Sequence, residues 1–263
     1  MKSDLETLGK IVKAAASEEL LPGFGDYKFS YKEDNSVITD ADIAMQKRLQ
    51  TELALSWPGI PVLGEEMTIE QQQNVIAEAN EYWCIDPLDG TNNYATGMPC
   101  FAVSIGLVKN GEVVLALIHD PVRDETFTAV KGQGAQLNGI ALEKKPVIEQ
   151  RERIIAEIDM KRLPRELAIR LVTEAPYSSQ RNIGSSALDW CWLAAGRYNI
   201  YLHGGQKLWD YAAGQLILHE AGGVCVALDN LPVFRNQLET RSVLASMDAG
   251  LFEYWKQWIG INQ

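Results

Sequence analysis

Leu5, Leu8, Ile11, Val12 and Ala15 recur at helical spacing with polar and charged residues between them. The pattern predicts an amphipathic helix from about Ser3 to Leu20, ended by Pro22-Gly23. Lys32 to Ser36 is polar and turn-like, and Val37-Ile38 fits a short strand edge. Thr39 and Asp40 suit the N-cap of a second helix that runs to Trp57, where Pro58 stops it. Pro61 to Leu63 reads as a short buried strand followed by Gly64-Glu65-Glu66, and Met67 to Ala79 as a polar helix or loop. Tyr82 to Ile85 is another apolar strand, whose ladder Pro87 is expected to stop because proline lacks an N–H and has a fixed φ.

From Phe101 to Val130 the pattern becomes antiparallel β. Ala102 to Val108 and Val113 to Ile118 flank Asn110-Gly111, a strong hairpin signal, and Glu125 to Val130 continues the meander. Lys131 to Gly134 turns it again. Gly132-x-Gly134 is too short to count as a nucleotide loop. The charged stretch from Glu143 to Arg153 contains Pro146 and marks the expected boundary between halves of residues 1–145 and 146–263. Beyond it strand and helix alternate. Arg153 to Glu157, Tyr198 to His203, Val224 to Leu228 and Val243 to Ala245 read as strands. Pro164 to Ala175, Leu208 to Ala221 (closed by Gly222-Gly223) and Ala249 to Ile261 read as helices.

With 263 residues, 46% hydrophobic and 22% charged, the chain can bury a substantial core in one large domain or two modest ones. Its net charge of −11 argues against nucleic-acid or anionic-membrane partners. Cys84, Cys100, Cys191 and Cys225 are scattered, which argues against zinc and against a disulfide framework. No apolar run approaches transmembrane length and the N-terminus lacks a signal core, so a cytoplasmic location is expected.

The chemistry concentrates in Asp86-Pro87-Leu88-Asp89-Gly90-Thr91. Asp86 lies at the end of a strand, where open α/β sheets place ligands. Asp89 follows on a turn that can aim both carboxylates at one point. Two such anions repel unless a cation sits between them, and hard oxygen donors suit Mg²⁺ or Mn²⁺. Gly90 and Thr91 add N–H groups and a hydroxyl that can cradle phosphate. Other acids stay ambiguous alone. Asp42 and Asp210 each fit either a favourable charge at a helix start or a ligand, and Glu65-Glu66 fits solvated charge as well as a strand-end site. Gly184-Ser185-Ser186 fits an anion-facing helix start or a plain cap, which makes Ser185 a candidate substrate contact.

In this order the chain carries Lys32-x-Asp34-x-Ser36-x-x-Thr39-x-Ala41-Asp42, Gly64-Glu65-Glu66, Trp83-x-Ile85-Asp86-Pro87-Leu88-Asp89-Gly90-Thr91-x-Asn93-Tyr94 and Trp209-Asp210-x-Ala212-Ala213-Gly214. The set resembles the inositol monophosphatase family, lithium-sensitive Mg²⁺-dependent phosphomonoesterases related to fructose-1,6-bisphosphatase. The resemblance runs from Lys32 to Gly223. It implies a layered α-β-α-β-α sandwich of the α+β or α/β class, usually a homodimer, with the site between the halves and a small phosphorylated substrate. By the same resemblance Glu65 and Asp86, with the Leu88 carbonyl, hold one cation, and Asp86, Asp89 and Asp210 hold a second. Two or three Mg²⁺ are expected, with Mn²⁺ as a substitute. Asp42 and Thr91 orient the attacking water with Glu65, the Gly90 and Thr91 amides grip phosphate, and Asp210 also reaches the substrate.

The expected reaction is hydrolysis of a small ester, inositol monophosphate-like, by a metal-activated water. A 3′(2′),5′-bisphosphate nucleotidase or another sugar-phosphate phosphatase is the alternative within the family. His203 stands seven residues before Asp210, where inositol-specific members carry a Glu that contacts ring hydroxyls. It fits either a hydrogen-bond donor to a more anionic substrate or a simple strand end. Two other classes fit less well. Haloacid dehalogenase phosphatases separate their paired acids by one residue, not by Pro87 and Leu88. A non-catalytic metal-binding protein has no need of the complete acid set.

Overall fold

The computed structural model describes residues 2–26, 28–32, 35–143 and 153–261. Asp34 of the first motif and residues 144–152 of the expected boundary lie outside the described residues. A small antiparallel hairpin, β1 (Ser30–Tyr31) and β2 (Val37–Ile38), precedes the two main sheets. The first sheet has seven strands in chain order: β3 (Val62–Gly64), β4 (Glu81–Asp89), β5 (Ala102–Lys109), β6 (Glu112–Asp120), β7 (Glu125–Val130), β8 (Ala135–Leu137) and β9 (Ile140–Ala141). Its one parallel pair, β3 with β4, is joined by a helix, α3 (Ile69–Glu78), because parallel neighbours need a crossover. A capping box between Thr68 and Gln71 starts α3 and resolves the helix-or-loop alternative. Asn110 and Gly111 both adopt positive φ and join β5 to β6, as the hairpin signal predicts.

The second sheet has the order β11 (Ser179–Arg181), β10 (Ile155–Asp159), β12 (Ile200–Gln206), β14 (Arg241–Ser246), β13 (Val224–Val226). β10 runs parallel to both β11 and β12, while β14 is antiparallel to its neighbours. Three apolar clusters hold the layers together. On the outer face of the first sheet, Leu8 and Val12 of α1 (Lys2–Ala15) and Met45, Leu49 and Leu53 of α2 (Asp40–Ser56) cover Trp83, Ile85, Ile105 and Leu117. Between the sheets lie α6 (Ser186–Ala194) and α7 (Leu208–Glu220), whose Trp190, Leu193, Tyr211 and Ile217 meet Ala116, Ile118 and Phe127 on one side and Tyr201, Val243 and Ala245 on the other. Beyond the second sheet, α5 (Arg165–Thr173) and α8 (Ala249–Ile259) place Leu167, Leu171, Phe252 and Trp255 over Ile158, Ile200, Leu202 and Leu244. The result is the layered α-β-α-β-α sandwich. In β12, Ile200 and Leu202 face outward and Tyr201 inward, so a strand buried on both faces reads as one apolar run. No helix among the described residues is long and apolar enough to cross a membrane.

The structure corrects the reading at several points. The first helix is α only to Ala15, then widens into a π turn over Ala16–Leu20 and tightens to 3₁₀ over Leu21–Gly23. β10 starts and ends two residues later than expected. Short elements α4 (Thr91–Ala95), β8, β9 and β11 were not anticipated. Most important, Pro87 does not stop its ladder: β4 continues to Asp89 through a bulge.

Candidate active site

That bulge builds the site. Side chains alternate faces along a strand, so residues three apart, such as Asp86 and Asp89, ordinarily point opposite ways. Here Asp86 pairs with Ser104 and Asp89 with Ala102, leaving Pro87 and Leu88 opposite Val103 alone. The extra residue restores Asp89 to the face of Asp86. Proline costs nothing at this position because the ladder is already interrupted. The Leu88 N–H donates to Asp86 Oδ1 at 3.0 Å.

Asp210 arrives from another layer. It is the third residue of α7, and its Oδ2 accepts the Lys207 N–H at 2.8 Å. The Ser104 hydroxyl, on the cross-strand partner of Asp86, donates to the Trp209 carbonyl at 3.1 Å and ties the start of α7 to β5. Asp89 Oδ2 in turn accepts the Ser185 hydroxyl and the Ala187 N–H (2.8 Å) at the start of α6. One carboxylate oxygen from each of Asp86, Asp89 and Asp210 lies within 4.8 Å of the others. Among the described residues no lysine, arginine or histidine pairs with any of the three. Burial raises all three pKa values, and repulsion from neighbouring acids, Glu65 in every case, adds to it. Asp86 is pushed well above the carboxylate range by burial and then by Glu65, Asp89 and Asp210. Asp210 is likewise raised, by burial and then by Asp89 and Glu65. Asp89 reaches about 6, held down by its bonds from Ser185 and Ala187. Such a set of hard donors fits a divalent cation.

Glu65 and Asp42 complete the acid group by different routes. The turn bearing Glu65 follows β3, where the Glu65 N–H donates to the Ile85 carbonyl (3.3 Å) and Gln72 Nε2 donates to the Gly64 carbonyl (2.9 Å). The Glu66 N–H donates to Gln46 Oε1 at 3.0 Å. Neither buried glutamine was singled out from the sequence, since each speaks only to backbone atoms distant in the chain. Lys32 Nζ lies 2.8 Å from Glu65 Oε1 and 2.7 Å from Glu66 Oε1. Burial opposes the lysine's charge, but the two glutamates outweigh it and raise its pKa. Burial lifts Glu66 to about 7 despite that pairing. Asp42 sits in the capping box of α2 with Thr39 and is 1% exposed. It does not line the cleft but stands behind Thr91, whose hydroxyl lies 3.0 Å from Asp42 Oδ1 and 3.0 Å from the Leu88 carbonyl.

These groups border a cleft of about 440 Å³ lined by Glu65, Asp86, Leu88, Asp89, Gly90, Thr91, Ser185, His203 and Asp210, among others. Gly90 has φ of 92°, and a Cβ there would stand 2.9 Å from the Cys100 carbonyl, so only glycine lets the chain turn from β4 into α4. Two expectations change. The Ser185 hydroxyl is committed to Asp89. His203, 3% exposed, accepts the Gly205 N–H on Nδ1 (3.0 Å) and directs Nε2 at Asp159 Oδ2 (3.2 Å). Both ring nitrogens are therefore engaged within the protein, and none remains to donate to a substrate. The cleft is also lined by Asp159, Lys161, Arg162, Asn182 and Asp189, which the sequence reading passed over. Extending β10 by two residues would have exposed Asp159 as another strand-end acid.

Comparison with known proteins converges on one group. The model of the inositol monophosphatase family matches residues 3–257. A Mesorhizobium japonicum inositol-1-monophosphatase is 33% identical over 248 residues, covering 90% of this chain and 90% of that protein. A Xylella fastidiosa protein named Nus factor SuhB is 38% identical over 196 residues, covering 71% and 68%. The crystal structure of extragenic suppressor protein suhB from Bartonella henselae superimposes with a TM-score of 0.82 at 26% identity, covering 98% of each chain.

Proposed function

This chain belongs to the inositol monophosphatase family, and from that membership we propose a Mg²⁺-dependent phosphomonoesterase that hydrolyses a small phosphate ester, inositol monophosphate or a related sugar phosphate. One observation carries the proposal: the carboxylates of buried Asp86 and Asp89 and half-buried Asp210 converge within 4.8 Å, and among the described residues no lysine, arginine or histidine is paired with them. Asp86, Asp89 and Asp210 would hold one cation, and Glu65, Asp86 and the Leu88 carbonyl another. When bound, the cations supply positive charge that activates water and stabilises charge on the reacting phosphate.

The remaining work falls to the chain's own groups. Asp42 Oδ1 and the Leu88 carbonyl accept the one Thr91 hydroxyl proton between them, which turns a lone pair of Thr91 Oγ1 toward the cleft to take a hydrogen bond from the attacking water. Glu65 is the second acceptor on the cleft wall. Attack by the water oxygen on phosphorus breaks the ester P–O bond and gives inorganic phosphate and an alcohol. No Ser–His or Cys–His pair lies among these groups, so a covalent route is not needed. The test is phosphate release from inositol phosphates, sugar phosphates and nucleotide bisphosphates, with Mg²⁺ and with chelator. Mg²⁺-dependent release is expected, and no release from any ester would overturn the proposal.

A further inference from the structure

The five-stranded sheet opens onto the cleft at a point where its chain direction switches. β10 is followed by the turn Met160–Arg162 and then α5, which packs on the outer face. Its parallel neighbour β11 is followed by Asn182, Gly184, Ser185 and then α6, which packs on the inner face. Adjacent parallel strands whose connections leave to opposite faces form a crevice beyond their carboxyl ends, where α/β sheets take ligands. Lys161 and Arg162 line the cleft there, and Lys207 joins them from the end of β12.

This corner is shaped, not merely charged. Arg162 Nη1 donates to the Gly205 carbonyl at 2.7 Å, which fixes the guanidinium. A Cβ on Gly204 would fall 1.9 Å from the Arg162 carbonyl, so the turn lies directly on β12. Asp159, the acid of this corner, is already occupied by His203 Nε2 and by the Lys161 N–H (2.9 Å). Among the described residues no carboxylate lies within ion-pair distance of Lys161, Arg162 or Lys207, although the charge of Arg162 is felt by Asp159 and Asp210. In a protein of net charge −11, three such cations at one end of an otherwise acidic cleft call for an anion.

We propose that Lys161, Arg162 and Lys207 form a second anion subsite that selects phosphate esters carrying a further phosphate or carboxylate on the alcohol portion. The inference rests on the phosphatase reading and narrows its substrate class.

Matched pairs of substrates test it with Mg²⁺-loaded enzyme: phosphoglycerate against glycerol phosphate for a carboxylate, and fructose bisphosphate against fructose monophosphate for a phosphate. The preferred pair identifies which anion the subsite takes. The doubly anionic member should have a kcat/KM about ten-fold or more higher, mainly through KM, and the preference should shrink as salt is raised. Lys161→Gln/Lys207→Gln should reduce the preference about ten-fold, lowering the singly phosphorylated substrate by a smaller factor. Lys161→Glu/Lys207→Glu should invert it. All three residues are exposed, and an unchanged melting temperature checks the fold of each variant. Equal kcat/KM within both pairs, or a preference unmoved by charge reversal, overturns the subsite alone. Hydrolysis of none of the four while inositol monophosphate is hydrolysed also overturns the subsite alone, and failure on inositol monophosphate as well overturns the phosphatase reading and the subsite with it.

Discussion

At the end of β4 the seven-stranded sheet gathers carboxylates, whereas at the ends of β10 and β12 the five-stranded sheet gathers cations. Asp86 and Asp89 are buried and face a common point with half-buried Asp210 only because the ladder is bent by a bulge. The cations are exposed: Lys161 and Arg162 follow the end of β10, and Lys207 follows β12 beyond its own register shift between His203 and Gln206. Buried like charges cost far more than exposed ones, so the acid end demands a counter-ion while the basic end mainly steers and orients. Perturbing the acid end should therefore have the larger consequences.

Asp86→Asn should break the comparison most sharply. Loss of the acid shared by both proposed cation positions should lower kcat/KM by about three decades or more, or ~4 kcal/mol of transition-state stabilisation. The variant should remain folded, since the amide is nearly isosteric. Near wild-type turnover with Mg²⁺ would show that the acid end is not the reactive one.

Next in size is the link between metal and stability. The three aspartates have folded-state pKa values raised above the ordinary 3.8, with Asp89 at about 6. Without metal, the folded chain holds protons that the unfolded chain has released. Stability should therefore be greatest at or below pH ~4 for this group and fall as pH rises through about 6. Mg²⁺ at a hundred times its Kd should restore about 2.7 kcal/mol above that window. Melting curves across pH, with chelator and with Mg²⁺, measure both effects. A metal-free stability that rises through the same window would contradict the shared origin of these shifts.

Gly90→Ala should cost about 1–3 kcal/mol in urea unfolding, because it combines a left-handed φ with a contact on the Cys100 carbonyl. Ser104→Ala should cost only about 1 kcal/mol, from loss of the bond to Trp209. Its sharper signature is functional. If that bond aligns β5 with α7, Ser104→Ala should weaken metal binding more than it weakens the fold, and an unchanged metal affinity would limit Ser104 to packing.

The acids themselves were legible in the sequence, because short spacings such as Asp86-Pro87-Leu88-Asp89 survive without knowledge of the fold. Their geometry was not. Strand alternation alone would have set Asp86 and Asp89 on opposite faces, and the bulge that corrects this depends on Val103, a partner in the next strand. Asp42 was readable as a helix-start acid, but its place behind Thr91 spans 49 positions of chain. α6 carries too uniform an apolar run to show a period, because it is covered by sheets on both sides. Two of the three cations of the basic corner were not legible for a related reason. Lys161 and Arg162 look like ordinary surface charge until Asp159 pairs with His203 and the following turn lies on Gly204 and Gly205, next to Lys207.

The most direct test is titration of the chain with Mn²⁺, a paramagnetic stand-in for Mg²⁺, followed by electron paramagnetic resonance without substrate. The wild-type chain should bind at the carboxylate cluster, and Asp210→Asn should lose or strongly weaken a site while retaining its fold by circular dichroism. Absence of Mn²⁺ binding in the wild type, or identical binding in Asp210→Asn, would contradict the assignment of the three converging aspartates as a metal site.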